Sequence, residues 1–325
     1  MSDCNPEAGL PDGFVSRVER LLPASRLEGW RRSLRAPPAA AFRVNTLKAS
    51  EEEAVAELGR EGITCQALEW PPGAWVSPPA ERPALVDSAA ALEGRVYLQN
   101  PSSMVPVLVL DPRPGEEVLD LAAAPGGKTV QLAGRMANRG RIAAVESVKG
   151  RFHRLRRNLE RCGVTIAETY LADGGGVGRK VPERFDRVLL DAPCTAEGRF
   201  RAGDPASFRY WGPKKIRDMA RKQKQLAISA VRALKPGGVL VYCTCTLAPE
   251  ENEAVVDGLL ERFGDSLVVE SLDLPEPWTA PALQEWEGRG FHPAVERCAR
   301  LAPDETREAF FVARLRKRES TEGAG

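Results

Sequence analysis

Val118-Leu119-Asp120-Leu121-Ala122-Ala123-Ala124-Pro125-Gly126-Gly127-Lys128-Thr129 is the stretch on which the fold turns. Its first four residues read as a short buried strand; small residues, a proline and two glycines then turn the chain sharply into a helical pattern. From here onward short apolar runs alternate with longer helical ones, the order expected of a doubly wound α/β fold. The predicted strands are Glu117–Leu121, Arg141–Glu146, Ile166–Leu171, Phe185–Asp191, Val239–Thr244, Leu267–Val269 and Ala309–Arg314. They make a seven-stranded, Rossmann-like sheet. Upstream the chain is rich in Pro and Trp, with amphipathic helical stretches over Phe14–Leu22 and Glu51–Gly59 and a strand-like run over Ala41–Asn45. The expected organisation is a small α+β N-terminal domain over 1–95, a doubly wound α/β domain over 96–316, and a disordered tail over 317–325.

With 325 residues the chain can bury the cores of two such domains. Its longest apolar run, Val105–Leu110, is far short of the roughly 20 residues of a membrane helix, and the N-terminus has no signal pattern. A cytoplasmic protein without membrane contact is expected, monomeric by default. Seven cysteines at irregular spacing favour reduced thiols over a disulfide framework. With only His153 and His292 to complement Cys243-Thr244-Cys245, no metal site is expected. The net charge is +1, but 147–161 holds six basic residues against Glu160, and 199–224 holds nine against Asp204 and Asp218. Such runs are either solvated helix faces or sites for a polyanion.

Gly127-Lys128-Thr129 resembles the end of a nucleotide-phosphate loop, but that motif needs a glycine where Ala122 stands. The turn Ala122, Ala123, Ala124, Pro125, Gly126, Gly127 and Lys128 lets the backbone approach a ligand at the end of the first strand, where doubly wound folds bind. The plain alternative is a tight turn without a ligand. Glu146, 26 residues after Asp120, closes the second strand and is placed to accept hydrogen bonds from ribose hydroxyls. The Gly-x-Gly-x-x-Gly spacing of nicotinamide sites is absent. The expected adenosine ligand is therefore S-adenosylmethionine, with Asp173 after the third strand as a candidate contact for adenine.

Two further strand ends carry thiols. Phe185–Asp191 runs into Ala192-Pro193-Cys194, and Val239–Thr244 into Cys245-Thr246-Leu247. Adjacent strand ends in such a sheet open into one crevice. Carbon 5 of cytosine is a poor nucleophile until another nucleophile adds at carbon 6, a task suited to a thiolate, which adds and leaves again. Asp191 is the nearest candidate acid to share a proton with N3. Against this stands the commoner fate of a free cysteine as a small buried hydrophobe, the reading preferred for Cys243.

Across 42–315 the chain resembles the Sun-type RNA cytosine-C5 methyltransferases, above all the branch acting on bacterial small-subunit ribosomal RNA. The resemblance rests on Phe42-Arg43-Val44-Asn45-Thr46-Leu47-Lys48, Gln99 with Ser102-Ser103-Met104, Ala123–Thr129, Leu190-Asp191-Ala192-Pro193-Cys194, and Thr244-Cys245-Thr246-Leu247 with Pro249-Glu250-Glu251-Asn252-Glu253. It implies that 122–128, Glu146, Asp173 and Asp191 bind S-adenosylmethionine. It implies further that Cys245 attacks carbon 6 and that Cys194 helps expel it. Thr195-Ala196-Glu197-Gly198 departs from the family's Ser-Gly or Ser-x-x-Gly after Pro-Cys, and Cys243 stands where serine is common. Phe208, Tyr210 and Trp211 ahead of Lys214–Lys224 suit base stacking and phosphate neutralisation, or else close the core behind Cys194. Ribosomal RNA is the expected partner; transfer RNA, or a ribosome-assembly role with dispensable catalysis, are the alternatives. An amino-group methyltransferase is disfavoured by Ala192-Pro193-Cys194.

Overall fold

The computed structural model describes residue 7, residues 9–37 and residues 40–321. Two helices, α1 (Asp12–Leu21) and α2 (Ala24–Arg35), precede a four-stranded antiparallel sheet of β1 (Ala40–Val44), β2 (Gln66–Ala67), β3 (Ala74–Ser77) and β4 (Val96–Leu98) in the order β2-β3-β1-β4. Within it, α3 (Glu51–Arg60) starts at a capping box, Ser50 accepting from the Glu53 amide while the Glu53 carboxylate accepts from the Ser50 amide. The helices α4 (Arg82–Asp87) and α5 (Ala89–Leu92) complete this unit. It extends to Leu98, three residues past the expected boundary.

The main sheet contains β5 (Glu117–Asp120), β6 (Arg141–Glu146), β7 (Ala167–Leu171), β8 (Phe185–Asp191), β9 (Leu234–Thr244) and β10 (Leu267–Glu270). Near the C-terminus come β11 (Thr279–Pro281), the ribbon β12 (Glu285–Trp286) and β13 (Arg289–Gly290), β14 (Ala299–Leu301) and β15 (Phe310–Lys317). The order is β11-β14-β15-β9-β8-β5-β6-β7, with β10 also pairing β15. Strands β7, β6, β5, β8 and β9 are parallel, and β15 is antiparallel to β9. All seven predicted strands are present. The sequence missed β11 and β14, which make the sheet nine-stranded; each is three residues long, too short to show a period of two. Val118, Leu119, Val188, Leu189 and Leu190 are fully buried, as central parallel strands require. Helices α6 (Pro101–Leu110), α7 (Gly127–Arg135), α8 (Lys149–Arg161), α9 (Val177–Lys180), α10 (Pro213–Ala233) and α11 (Glu253–Phe263) flank the sheet.

Two expectations are corrected. Helices α1 and α2 pack on the larger unit rather than on the small sheet: Phe14, Val18, Trp30 and Leu34 share a core with Phe200, Leu247 and Ala309. Phe14 lies 4.8 Å from Phe200 and 5.5 Å from Trp211, ring centre to ring centre. The tail does not begin at Lys317. That residue ends β15, is fully buried, and its ammonium donates to Glu183 and to the Val231 and Leu234 carbonyls, while the Thr321 amide donates to Glu183. The rest of the expected tail, 322–325, lies outside the described residues.

Candidate active site

Strand order reverses between the parallel neighbours β5 and β8: from β5 the sheet grows one way through β6 and β7, and from β8 the other way through β9. The carboxyl ends of these strands form a cleft of about 390 Å³, lined among others by Asp120, Ala122–Pro125, Gly127, Lys128 and Asp191. Gly126, at φ +109°, takes the left-handed conformation that starts α7, and a Cβ on Gly127 would stand 2.9 Å from the Tyr97 ring. The turn is shaped for close backbone approach.

Register explains the thiols. Asp191 and Cys243 are partners across the parallel β8–β9 pair, and the Ala192 amide donates to the Cys243 carbonyl at 2.9 Å. Both chains then leave the sheet side by side, which brings Cys194 Sγ within 3.4 Å of Cys245 Sγ. Cys243 is fully buried, 3.7 Å from Asp191 Oδ1, and burial pushes its thiol well up. It is held in the core, as preferred from the sequence.

The two facing thiols are unequal. A hydrogen bond from Cys194 and the Arg199 guanidinium hold Cys245 below the ordinary thiol range, against the opposing effect of burial. The same hydrogen bond, burial and the Glu251 carboxylate push Cys194 well up. The surroundings thus favour ionisation of Cys245 over that of Cys194. Its neighbour Asp191 is bonded through Oδ2 to Lys128 at 2.7 Å, and Lys128 donates to Ser103 Oγ at 2.6 Å. Burial works against the Lys128 charge, yet Asp191 and Cys243 hold its pKa above the ordinary lysine value.

Behind the Cys194 loop lies a network that sequence reasoning did not assign. Glu251 accepts from the Thr195 amide at 3.0 Å, Thr195 Oγ1 at 2.5 Å and Gln223 at 2.7 Å; burial pushes its carboxyl up to about 7. Glu197 accepts from the Trp211 indole at 2.7 Å and the Leu247 amide at 3.1 Å. The signal was present in the five-residue run Pro249–Glu253, which carries three acids directly after an apolar strand. Trp211 and Phe208 therefore close the core, whereas Tyr210 is 74% exposed.

Among the described residues, two buried carboxylate oxygens lack a hydrogen-bond partner. Glu146 Oε1 accepts from the Val148 amide at 2.8 Å, while Oε2 has Arg151 at 3.5 Å but no hydrogen bond. Asp120 Oδ2 accepts from Thr129 at 2.7 Å and Oδ1 has no partner; burial pushes this carboxyl up to about 7. Unmatched acceptors at strand ends beside a cleft fit a ligand bearing hydroxyl and ammonium groups. Asp173 is placed differently: it is exposed, caps the Gly175 amide at 3.0 Å and lines a separate cavity with Arg179 and Lys180. Glu146 and Asp173 are nonetheless adjacent, since the Ala172 amide donates to the Glu146 carbonyl at 3.1 Å.

A family model described as 16S rRNA methyltransferase RsmB/F matches residues 107–316. The chain belongs to this family. Members are S-adenosylmethionine-dependent methyltransferases, which accords with the cleft and its unmatched acceptors. The chain is 40% identical over 322 residues to the ribosomal RNA small subunit methyltransferase F of Vibrio parahaemolyticus, covering 98% of this chain and 65% of the relative. It therefore spans somewhat less than two thirds of the length of the curated relatives it matches. Among solved structures, a methyltransferase homolog from Pyrococcus horikoshii is 33% identical, with a TM-score of 0.80 over 95% of this chain and 96% of that one. NSun6 from Pyrococcus horikoshii, solved with SFG, shares the fold at a TM-score of 0.79 and 23% identity, over 95% and 99% of the two chains. Among the described residues no helix is long and apolar enough to cross a membrane, and no group of three His, Cys, Asp or Glu could hold a metal.

Proposed function

We propose that this chain is an S-adenosylmethionine-dependent RNA (cytosine-C5) methyltransferase that acts on ribosomal RNA through a covalent bond between Cys245 and carbon 6 of the target base. One observation carries this reading: the 3.4 Å contact of Cys194 with Cys245, in surroundings that favour ionisation of Cys245 over that of Cys194. The target cytosine leaves its stack to reach the cleft. The Cys245 sulfur adds to carbon 6, and the electron pair displaced toward the ring makes carbon 5 nucleophilic. The hydrogen-bonded pair of Lys128 and Asp191 is assigned to share a proton with N3 and to neutralise the charge that develops there. The cofactor, when bound, supplies an electrophilic methyl group. The loop over 122–128 and the carboxylates of Glu146, Asp173 and Asp191 are the residues assigned to hold it. Release requires transfer of the carbon 5 proton to a base, its C–H electron pair closing the C5–C6 double bond as the C6–S pair returns to Cys245; Cys194, the thiol facing that sulfur, is assigned to assist its departure.

The basic helices support an RNA partner. Helix α8 buries Leu155 and Leu159 and exposes Arg151, Arg154, Arg156 and Arg157; α10 exposes Lys214, Lys215, Arg217, Arg221 and Lys222. Both start at the carboxyl edge of the sheet, so their first turns lie on the side of the cleft. Incubation with small-subunit ribosomal RNA, assembled small subunits and transfer RNA, each with labelled cofactor and followed by nucleoside analysis, tests the proposal. It should yield 5-methylcytidine in the ribosomal substrates. Label found only in methylated amines or ribose overturns it.

A further inference from the structure

We propose that Glu251 is a positioning residue for release: it fixes the backbone beside Cys194 so that this thiol faces the Cys245 sulfur as that sulfur leaves the base. This rests on the reading of Cys245 as nucleophile and Cys194 as its helper, and adds the group that holds the helper in place.

Cys194 lies where sheet pairing has run out. The last bond between the two strand ends runs from the Ala192 amide to the Cys243 carbonyl, and the next across the gap runs from the Gly198 amide to the Cys245 carbonyl. Between them the chain turns at Ala196, a non-glycine residue at φ +57°. The stretch that carries Cys194 is therefore left for side chains to place.

Those side chains come from other elements. Gln223 of α10 donates to the Pro193 carbonyl at 2.9 Å, on one side of Cys194. On the other side Glu251 accepts from the Thr195 amide at 3.0 Å through Oε2 and from the Thr195 hydroxyl at 2.5 Å through Oε1. The two anchors are joined, since Gln223 also donates to Glu251 Oε2 at 2.7 Å. Gln223 and Glu251 are fully buried, so little water competes for these bonds. Thr195 carries the constraint onward: its hydroxyl donates to Glu251 and accepts from the Thr246 hydroxyl at 2.7 Å. Each thiol is thus followed by a threonine, and the two hydroxyls touch as the two sulfurs do.

The turn Pro249–Glu251 and the residue after it divide the work. Asn252 accepts from the Thr244 hydroxyl at 2.5 Å and donates to the Thr246 carbonyl at 3.0 Å, so it holds both flanks of Cys245. Glu251 holds the flank of Cys194. Removing its side chain loosens the helper thiol and leaves in place the bonds that position the nucleophile, so attack continues while departure slows.

The test follows the covalent adduct of the full chain with labelled small-subunit ribosomal RNA and S-adenosylmethionine on denaturing gels, beside turnover. Cys194→Ala is the reference, and circular dichroism establishes folding. Glu251→Ala is expected to raise the adduct about tenfold over wild type and to lower turnover by a similar factor. Glu251→Gln can keep all three contacts, its amide nitrogen donating to the Thr195 hydroxyl, and should clear most of the adduct seen with alanine. Thr195→Val keeps the amide contact and removes the hydroxyl; it should fall between the two, and it decides the matter where the alanine variant does not fold. A general loosening of the site would lower adduct and turnover together. That result, or a glutamine variant with as much adduct as the alanine one, overturns the proposal. Lack of adduct in Cys194→Ala overturns the functional reading and this proposal with it; adduct in Cys194→Ala but in neither Glu251→Ala nor Thr195→Val overturns this proposal alone.

Discussion

The sulfur of Cys194 lies 3.4 Å from that of Cys245 because Asp191 and Cys243 are register partners on parallel strands, so that two chains leaving the sheet together deliver two thiols to one point. A slip of one residue in that register would turn one thiol to the other face of the sheet. Chemistry assigned to the pair therefore depends on strand pairing as much as on either cysteine.

Cys245→Ala is expected to lower methyl transfer by about four orders of magnitude or more, as loss of a nucleophile does. Cys194→Ala is expected to leave an RNA–protein adduct that persists on a denaturing gel, because addition proceeds and release does not. Absence of that adduct would remove Cys194 from its role.

Glu146 ends β6 with one oxygen bonded to the Val148 amide and the other free of hydrogen bonds. Glu146→Gln keeps the shape and removes the charge, so it should weaken S-adenosylmethionine binding by about tenfold, the equivalent of one charge-assisted hydrogen bond. Titration calorimetry with cofactor alone measures this. Unchanged affinity would place the ribose elsewhere.

The buried carboxyls of Asp120 and Glu251, both pushed up to about 7, give the cofactor-free chain a distinct pH profile. A carboxyl with a raised pKa binds its proton more tightly in the folded state. Its stabilisation is present at low pH and is lost as pH rises from the unfolded value of about 4 through about 7. For Asp120 the limit is about 4 kcal/mol, from a shift of about three units at 1.36 kcal/mol each. Asp186 and Glu270, held low by lysine and arginine partners, act oppositely and at more acid pH. Urea unfolding at pH 5 and pH 8 should show Asp120→Asn losing less stability between the two than wild type; an equal loss would remove Asp120 as a source.

Arg300 and Glu253 form a buried bidentate pair, 2.6 Å at both contacts, and Arg300 also donates to the Leu247 carbonyl at 2.9 Å. Arg300→Met strands the fully buried Glu253 charge and should cost about 3–5 kcal/mol in urea unfolding. Because Leu247 lies two residues from Cys245, the same variant should also impair catalysis.

How much of this was legible depends on how local each signal is. The alternation of buried strands with amphipathic helices, the turn over 122–128 and the thiols after two predicted strands were all readable. Each is a pattern within about a dozen residues, set by backbone geometry and by which faces must leave water. The same patterns placed Cys243 in the core. What escaped was contact between distant segments. Nothing in Phe14 or Trp30 announces that they pack on Phe200 rather than on the small sheet, and three-residue strands such as β11 and β14 show no period.

The sequence by itself determined the class of fold, the glycine turn over 122–128 at the end of the first strand of the main sheet, and the presence of two cysteines at strand ends. The tertiary structure decided the rest: that these thiols, 51 residues apart in the chain, touch, and that the Gly198 amide bonds the carbonyl of Cys245 while Glu251 holds the Thr195 amide beside Cys194. The reason is physical. A cysteine's reactivity depends on the charges, donors and water within a few ångströms, and those neighbours come from other strands, brought there only when the sheet pairs in register.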